Sequence, residues 1–288
     1  MRNFLKFSSL KLREPKAFCQ IQGPSLVFAK KTKLTLADNI VEFKVPGHAP
    51  RNNYISAHGP WYKNNSLECR PVDAEFVPSQ NWSKLLVFSR EWAFYGSWFM
   101  GAVTHLHLAG TVITRNQEKA DQDISPDSLF HPRAFEYEVC QYLNDYYGHN
   151  TDQNKADWLA PVNWRPIKGL SVFGGRFDIA PYHMPNTRTH RVAVPITSTH
   201  ILLLDFTLGG IVEASNIQNG QCEFAHVGQA RFRIDNTPVL ELMESIIQSI
   251  TITLSDKSQQ AYDKVKAENP DLKMAVSETL APLQWPVK

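Results

Sequence analysis

The sequence predicts a segregated α+β fold: mostly antiparallel β-sheet, with one mid-chain helix and two C-terminal helices. Three observations carry this. Segments with a side-chain period of two, the mark of a half-buried strand, recur through residues 26–45, 84–115 and 169–208. Apolar stripes at helical spacing occur after Pro132 and after Pro238. Strands and helices come in runs rather than in alternation, which argues against βαβ units and a parallel sheet.

The elements follow in chain order. "LVF" and "KLTLAD", bounded by lysines, read as short strands. In "NIVEFKV", Ile40, Glu42 and Lys44 alternate with Val41, Phe43 and Val45. Pro46-Gly47 ends that strand. Residues 46–82 form a long irregular stretch that carries Tyr54, Trp61, Tyr62, Phe76 and Trp82. So many large aromatics point to a loop that packs down and has a function. "KLLVFSREWAFYG" and "SWFMGAVTHLHLAGTVITR" are two long strands broken at Gly96-Ser97. In the second, Val103, His105, His107 and Ala109 share one face, and Thr104, Leu106, Leu108 and Gly110 the other.

Pro132 opens a helix striped by Ala134, Phe135, Val139, Tyr142, Leu143 and Tyr146, and Gly148 closes it. Residues 150–168 are polar, with Pro161 and Pro166 as breakers. Strands resume in "GLSVFGGRFDIA", "HRVAVPI" and "HILLLDFTL", the last two joined by "TST" as a hairpin, and then in "EFAHVGQARFRID". Asn236 or Thr237 caps a helix with Pro238 at its first position. Its stripe is Leu240, Met243, Ile246, Ile247 and Ile250. After the apolar link "TITL", Ser255 caps a last, mostly polar helix.

No composition shift marks a linker, so residues 26–288 are expected to form one domain behind a basic N-terminal arm, residues 1–25. The chain has 288 residues, enough for a core without staples. An internal duplication has one loose sign, an aromatic-Gly strand followed by a His-led strand in each half.

The net charge of +2 is too balanced for a nucleic-acid binder. Lys30, Lys31 and Lys33 extend a basic N-terminal region in which Glu14 is the one acid. That region reads as a solvated arm or as a dock for an acidic partner. The four cysteines are isolated, which suits reduced thiols better than a disulfide framework. The longest apolar run, "ILLLDF", is far short of the roughly 18–20 residues of a membrane span. The start of the chain lacks a signal-peptide h-region, so the expected location is the cytoplasm.

Several groups are candidates for chemistry. His105 and His107, two apart on one strand face, are half of a possible metal site for a metal-dependent hydrolase. The missing ligands would come from His48, His58, His131, His183, His190, His200, His226, Asp123 or Asp205. A strand with one wet face gives the same alternation without a metal. No G-x-S-x-G elbow is present, so a serine triad is not visible in the sequence. Gly174-Gly175 beside Arg176 reads as a bend or bulge before it reads as an anion cradle. Tyr54, Trp61, Tyr62 and Trp82, with Arg188, His190 and Arg191 of "HMPNTRTHRVAVP", are candidate partner-binding residues, since aromatics and arginine anchor interfaces. Trp-rich loops would equally serve a carbohydrate-binding module. No cofactor is indicated.

"SREWAFYGSWFMG", "PRAFEYEVCQYLNDYYG" and "MESIIQSITITLS" together resemble a group of bacterial proteins encoded beside type VI secretion effectors and proposed as cognate immunity proteins. The resemblance covers roughly residues 80 to 260. It implies a non-enzymatic protein that binds and neutralises one toxin or effector, and it brings no catalytic residue with it. The absence of a signal peptide would then place the toxin's action in the cytoplasm.

Overall fold

A computed structural model describes residues 20–47, 49, 67, 70–71, 81–96, 102–116, 128–147, 158–181, 189–209, 221–226 and 229–276. The α+β prediction holds: among the described residues the strands of the sheets pair antiparallel and three α-helices accompany them.

The strands are β1 (Ile21–Gln22), β2 (Lys30–Leu36), β3 (Asn39–Val45), β4 (Arg70–Pro71), β5 (Trp82–Gly96), β6 (Ala102–Arg115), β7 (Trp158–Pro166), β8 (Gly175–Pro181), β9 (Thr189–Pro195), β10 (His200–Gly209), β11 (Gln221–His226), β12 (Gln229–Asp235) and β13 (Thr251–Thr253). The helices are α1 (Pro132–Tyr147), α2 (Thr237–Gln248) and α3 (Asp256–Glu268). The main sheet runs β1-β5-β6-β10-β9-β8-β7, with β4 beside β5; β13-β3-β2 and β11-β12 form two small sheets.

Two clusters of buried side chains place the layers. On one face of the main sheet, Leu106, Leu108 and Val112 of β6 and Leu202, Leu204 and Phe206 of β10 pack with Val41 and Phe43 of β3, Leu34 of β2 and Met243 and Ile246 of α2. Phe43 meets Phe88 edge to face, ring centroids 5.2 Å apart. On the other face, Ile113, Ile201, Leu203, Ala193 and Phe177 are covered by Phe135, Val139, Tyr142 and Leu143 of α1. The main sheet is thus sandwiched between α1 and a layer made of the small sheet with α2 and α3. The stripes read from the sequence for α1 and α2 are mostly the buried ones.

Turn chemistry explains the joints. Ala37 and Asp38 both adopt positive φ, 47° and 64°, as a two-residue hairpin between β2 and β3 requires. Buried Asn39 locks that turn: its amide donates to Leu36 O and Ala37 O, and its Oδ1 accepts from Ser255 N, 2.9 Å away, at the start of α3. Ser255 caps α3 by accepting from Ser258 N. At α2 the side chain that accepts from Thr237 N is Asp235, 3.0 Å away, rather than Asn236 or Thr237.

Five segments depart from the sequence reading. One is the first half of "GLSVFGGRFDIA", read as strand, where residues 169–174 are turn, bend or irregular chain and β8 begins only at Gly175. "LVF" is a 3₁₀ turn, Leu26–Phe28, because Ser25 Oγ accepts from Val27 N and starts a turn. Residues 158–166, expected to be irregular, form β7. It is the outer strand of the main sheet, where prolines cost no ladder bond, and its register shifts on both sides of Val162. "TIT" of the apolar link pairs with β3. Ile21 and Gln22, inside the stretch read as a basic arm, pair with Gly96 and Tyr95 of β5. Gly175 is explained by packing: a Cβ there would lie 2.5 Å from the Trp164 ring, so the indole needs a bare backbone to lie on.

Candidate functional site

The α1 side of the main sheet is apolar only where the helix lies. Beyond the helix's C-terminal end the same face turns polar. Ser89, Ala109, Asp205, Arg191 and Phe177 stand in one cross-strand row over β5, β6, β10, β9 and β8. In the next row Glu91, His107 and Thr207 are aligned, and in the next Ala93, His105 and Gly209.

The bulge in β5 between Leu86 and Phe88 creates this face. A strand's side chains alternate, so one extra residue swaps the faces of everything beyond it. Before the bulge Trp82, Lys84 and Leu86 pair with Arg115, Ile113 and Thr111; after it Ser89 pairs with Ala109 and Glu91 with His107. Without the extra residue, Ser89 and Glu91 would point into the apolar core on the opposite side.

Arg191 is the anchor of the row. Its Nε and Nη2 both donate to the Asp205 carboxylate, the second at 2.6 Å, and Nη2 also donates to Tyr147 Oη at 3.2 Å. The residue is 5% exposed. Burial works against its charge, but the facing Asp205 carboxylate more than offsets this and raises its pKa. Burial raises the Tyr142 and Tyr147 phenols as well, so both stay neutral donors. Cys140 on α1 is pushed up to about 12, chiefly by burial, and is a poor nucleophile.

His107 lies diagonally between Ser89 and Asp205. Its Nε2 is 2.9 Å from Ser89 Oγ. Burial lowers its pKa and Asp205 partly restores it. His105 Nδ1 stands 3.7 Å from Glu91 Oε1. The two histidines of the His-x-His strand therefore look at different partners. Among the described residues no three His, Cys, Asp or Glu side chains converge to hold a metal.

The "HMPNTRTHR" residues are divided by the pleat. Arg191 faces α1, whereas His190 faces the other way and binds Asp178 Oδ1 through Nδ1 at 2.7 Å. Trp82 opens β5 and is buried at 3%, with its indole N–H donating to Asp145 Oδ2 of α1 at 2.9 Å. Tyr54, Trp61, Tyr62 and Arg188 lie outside the described residues.

A second region has the opposite character. At the 3₁₀ turn before β2, Val27 is 80% and Phe28 91% exposed. β2 continues from it as the outer strand of β13-β3-β2, and among the described residues nothing pairs with its other edge. Lys30, Lys31 and Lys33 are exposed along it, and Lys44 is exposed on β3 opposite Lys31. Glu42 is the acid among them and meets Lys31 Nζ at 2.6 Å. The sequence placed Lys30, Lys31 and Lys33 in a basic region; the exposure of Phe28 depends on the Ser25-capped turn, which "LVF" does not announce.

The fold and these two regions define an α+β chain with a paired polar row on one side of its main sheet and an apolar-basic edge on the other. Among the described residues no helix is long and apolar enough to cross a membrane. No family model, curated protein or solved structure matches the chain.

Proposed function

We propose that the chain is a protein-interaction protein, concretely an immunity-type protein that binds and neutralises a cognate bacterial toxin or effector. Its docking surface is the turn Leu26–Phe28 together with β2. The observation that carries this reading is Phe28, 91% exposed beside a strand edge lined with lysines. A large ring held in water is an unfavourable surface unless a partner covers it. Lysines on a free edge also prevent edge-to-edge pairing of like chains. That same repulsion admits an acidic partner and speeds its approach. The partner is therefore an acidic protein with an apolar patch at the centre of its contact surface.

The test is capture from a lysate of the cells that make the protein, followed by growth rescue. Wild-type chain is expected to retain one acidic protein. The Phe28→Ala/Lys33→Glu variant is expected to lose it while keeping its circular dichroism. Co-expression with that partner is expected to restore growth for the wild type alone. Equal capture by both chains, or a captured partner that is harmless when expressed by itself, would overturn the proposal.

A further inference from the structure

The polar row carries a chemistry that binding at the β2 edge does not use. We propose that Ser89 is a nucleophile activated by His107, and that the chain cleaves small uncharged carboxylic esters at this pair. The site lies on the α1 side of the main sheet, away from the docking edge, so either assignment stands without the other.

The argument is geometric. Ser89 Oγ is 2.9 Å from His107 Nε2, the reach that a serine and its general base need. Asp205 stands in the same cross-strand row as Ser89, with Ala109 between them, and its charge partly offsets the effect of burial on the His107 imidazole. The methyl side chain of Ala109 leaves room for a diagonal ring above it. The structure supplies the hydroxyl and the imidazole of such a nucleophile from adjacent strands rather than from an elbow turn; Asp205 acts on the imidazole through charge alone, without a hydrogen bond to it. Arg191 grips the Asp205 carboxylate from the side away from Ser89 and fixes its position. A β-bulge one turn of the pleat before Ser89 aims the hydroxyl at this face, a device that recurs beside active sites. Ser89, His107 and Asp205 all retain partial exposure, so a small reagent reaches them. Burial keeps the imidazole neutral near pH 7, with a lone pair free on Nε2 when the proton is on Nδ1.

The neighbouring charges choose the substrate class. The Arg191 guanidinium is already engaged by the Asp205 carboxylate, so it is not available to hold an anionic substrate. An uncharged ester needs no such countercharge. In the first step the Ser89 proton passes to His107 Nε2 while the Oγ–acyl bond forms. The ester C–O bond then breaks, and the departing alkoxide takes the proton from Nε2. In the second step water gives its proton to Nε2 and attacks the acyl carbon. Ser89 Oγ leaves and recovers the proton, releasing a carboxylic acid.

The test uses the full chain and a fluorophosphonate probe, which marks activated serines: an Oγ–P bond forms, fluoride leaves and the proton goes to His107. One label per chain is expected, mapped to Ser89 by peptide mass and absent from Ser89→Ala. In His107→Gln the amide keeps a hydrogen bond to Ser89 but accepts no proton, so labelling is expected to slow about 100-fold or more. Turnover of 4-nitrophenyl acetate is expected to fall in the same order. A folded wild-type chain without label at Ser89 overturns the proposal, and so does a folded His107→Gln chain that labels at the wild-type rate. Should His107→Gln fail to fold, the wild type and Ser89→Ala still decide it.

Discussion

The polar row and the β2 edge differ in what surrounds their charges. In the row, Arg191 and Asp205 lie beside the C-terminal end of α1 and are bonded to each other, and Arg191 also donates to Tyr147 of that helix. At the edge, Lys30 and Lys33 stand in water next to an uncovered Phe28. Removing Arg191 or Asp205 leaves the other charge, at least part-buried, without its partner; removing an exposed member of the edge is expected to leave the fold as it was. The row is built to hold a geometry and the edge is built to be covered. Mutations should therefore separate stability from binding.

The largest effect is expected from Arg191→Met. It leaves Asp205 facing an apolar group; breaking a fully buried pair costs about 3–5 kcal/mol, and since the Asp205 side chain is 22% exposed the loss is expected toward the lower end of that range. Urea denaturation should show that loss, and the double variant Arg191→Met/Asp205→Leu should recover most of it. A single variant as stable as the wild type would remove the row's structural role. Second is Phe28→Ala/Lys33→Glu, where a change of less than about 0.5 kcal/mol in stability is expected because both residues are exposed. A large fall in its urea midpoint would show that the edge serves the fold.

Third is pH. Burial lowers the pKa of His107 and of His200, so the unfolded chain binds protons at these sites at higher pH than the folded chain does. Their contribution is complete above the unfolded histidine value of about 6.5 and is lost as the pH falls below it toward the folded values. The Glu136 and Glu138 carboxyls act in the opposite sense: burial raises both, and what they add below their unfolded value is lost as pH rises through the folded ones. The informative quantity is thus the difference between chains. Between pH 7.5 and pH 5, His107→Gln should lose less stability than the wild type; an equal loss would mean that His107 is not buried as described. The smallest effect is expected from Lys31→Ala. Its ion pair with Glu42 has a lysine side chain 57% exposed, and such pairs contribute about 0–1 kcal/mol.

How much of this was legible in the sequence depends on the range of the interactions. The period of two in "NIVEFKV" and "VTHLHLAGTVI" and the stripes of α1 and α2 are local, and all four became elements with the predicted inward faces. β7 was hidden because Pro161 and Pro166 break a local pattern, while its place at the sheet border, which makes them tolerable, is a property of the whole fold. Glu136 and Glu138 sit on a helix with no local sign that they are buried; Arg115 of β6 and the chain near Ala275 put them there. The Ser89–His107 pair was invisible for a sharper reason. Simple alternation along "KLLVFSREW" puts Ser89 on the face of Val87, and the bulge reverses this. Arg191 and His190, adjacent in the sequence and grouped there as one basic patch, were separated by the pleat.

The central claim is that binding belongs to the β2 edge and not to the row. Quantitative capture with three chains tests it: wild type, Phe28→Ala/Lys33→Glu and Ser89→Ala, each first shown to be folded. The account predicts that wild type and Ser89→Ala retain the same acidic partner at equal yield, and that the edge variant retains less than about one tenth as much, the loss that corresponds to roughly 1.4 kcal/mol of binding free energy. Full retention by the edge variant would contradict it.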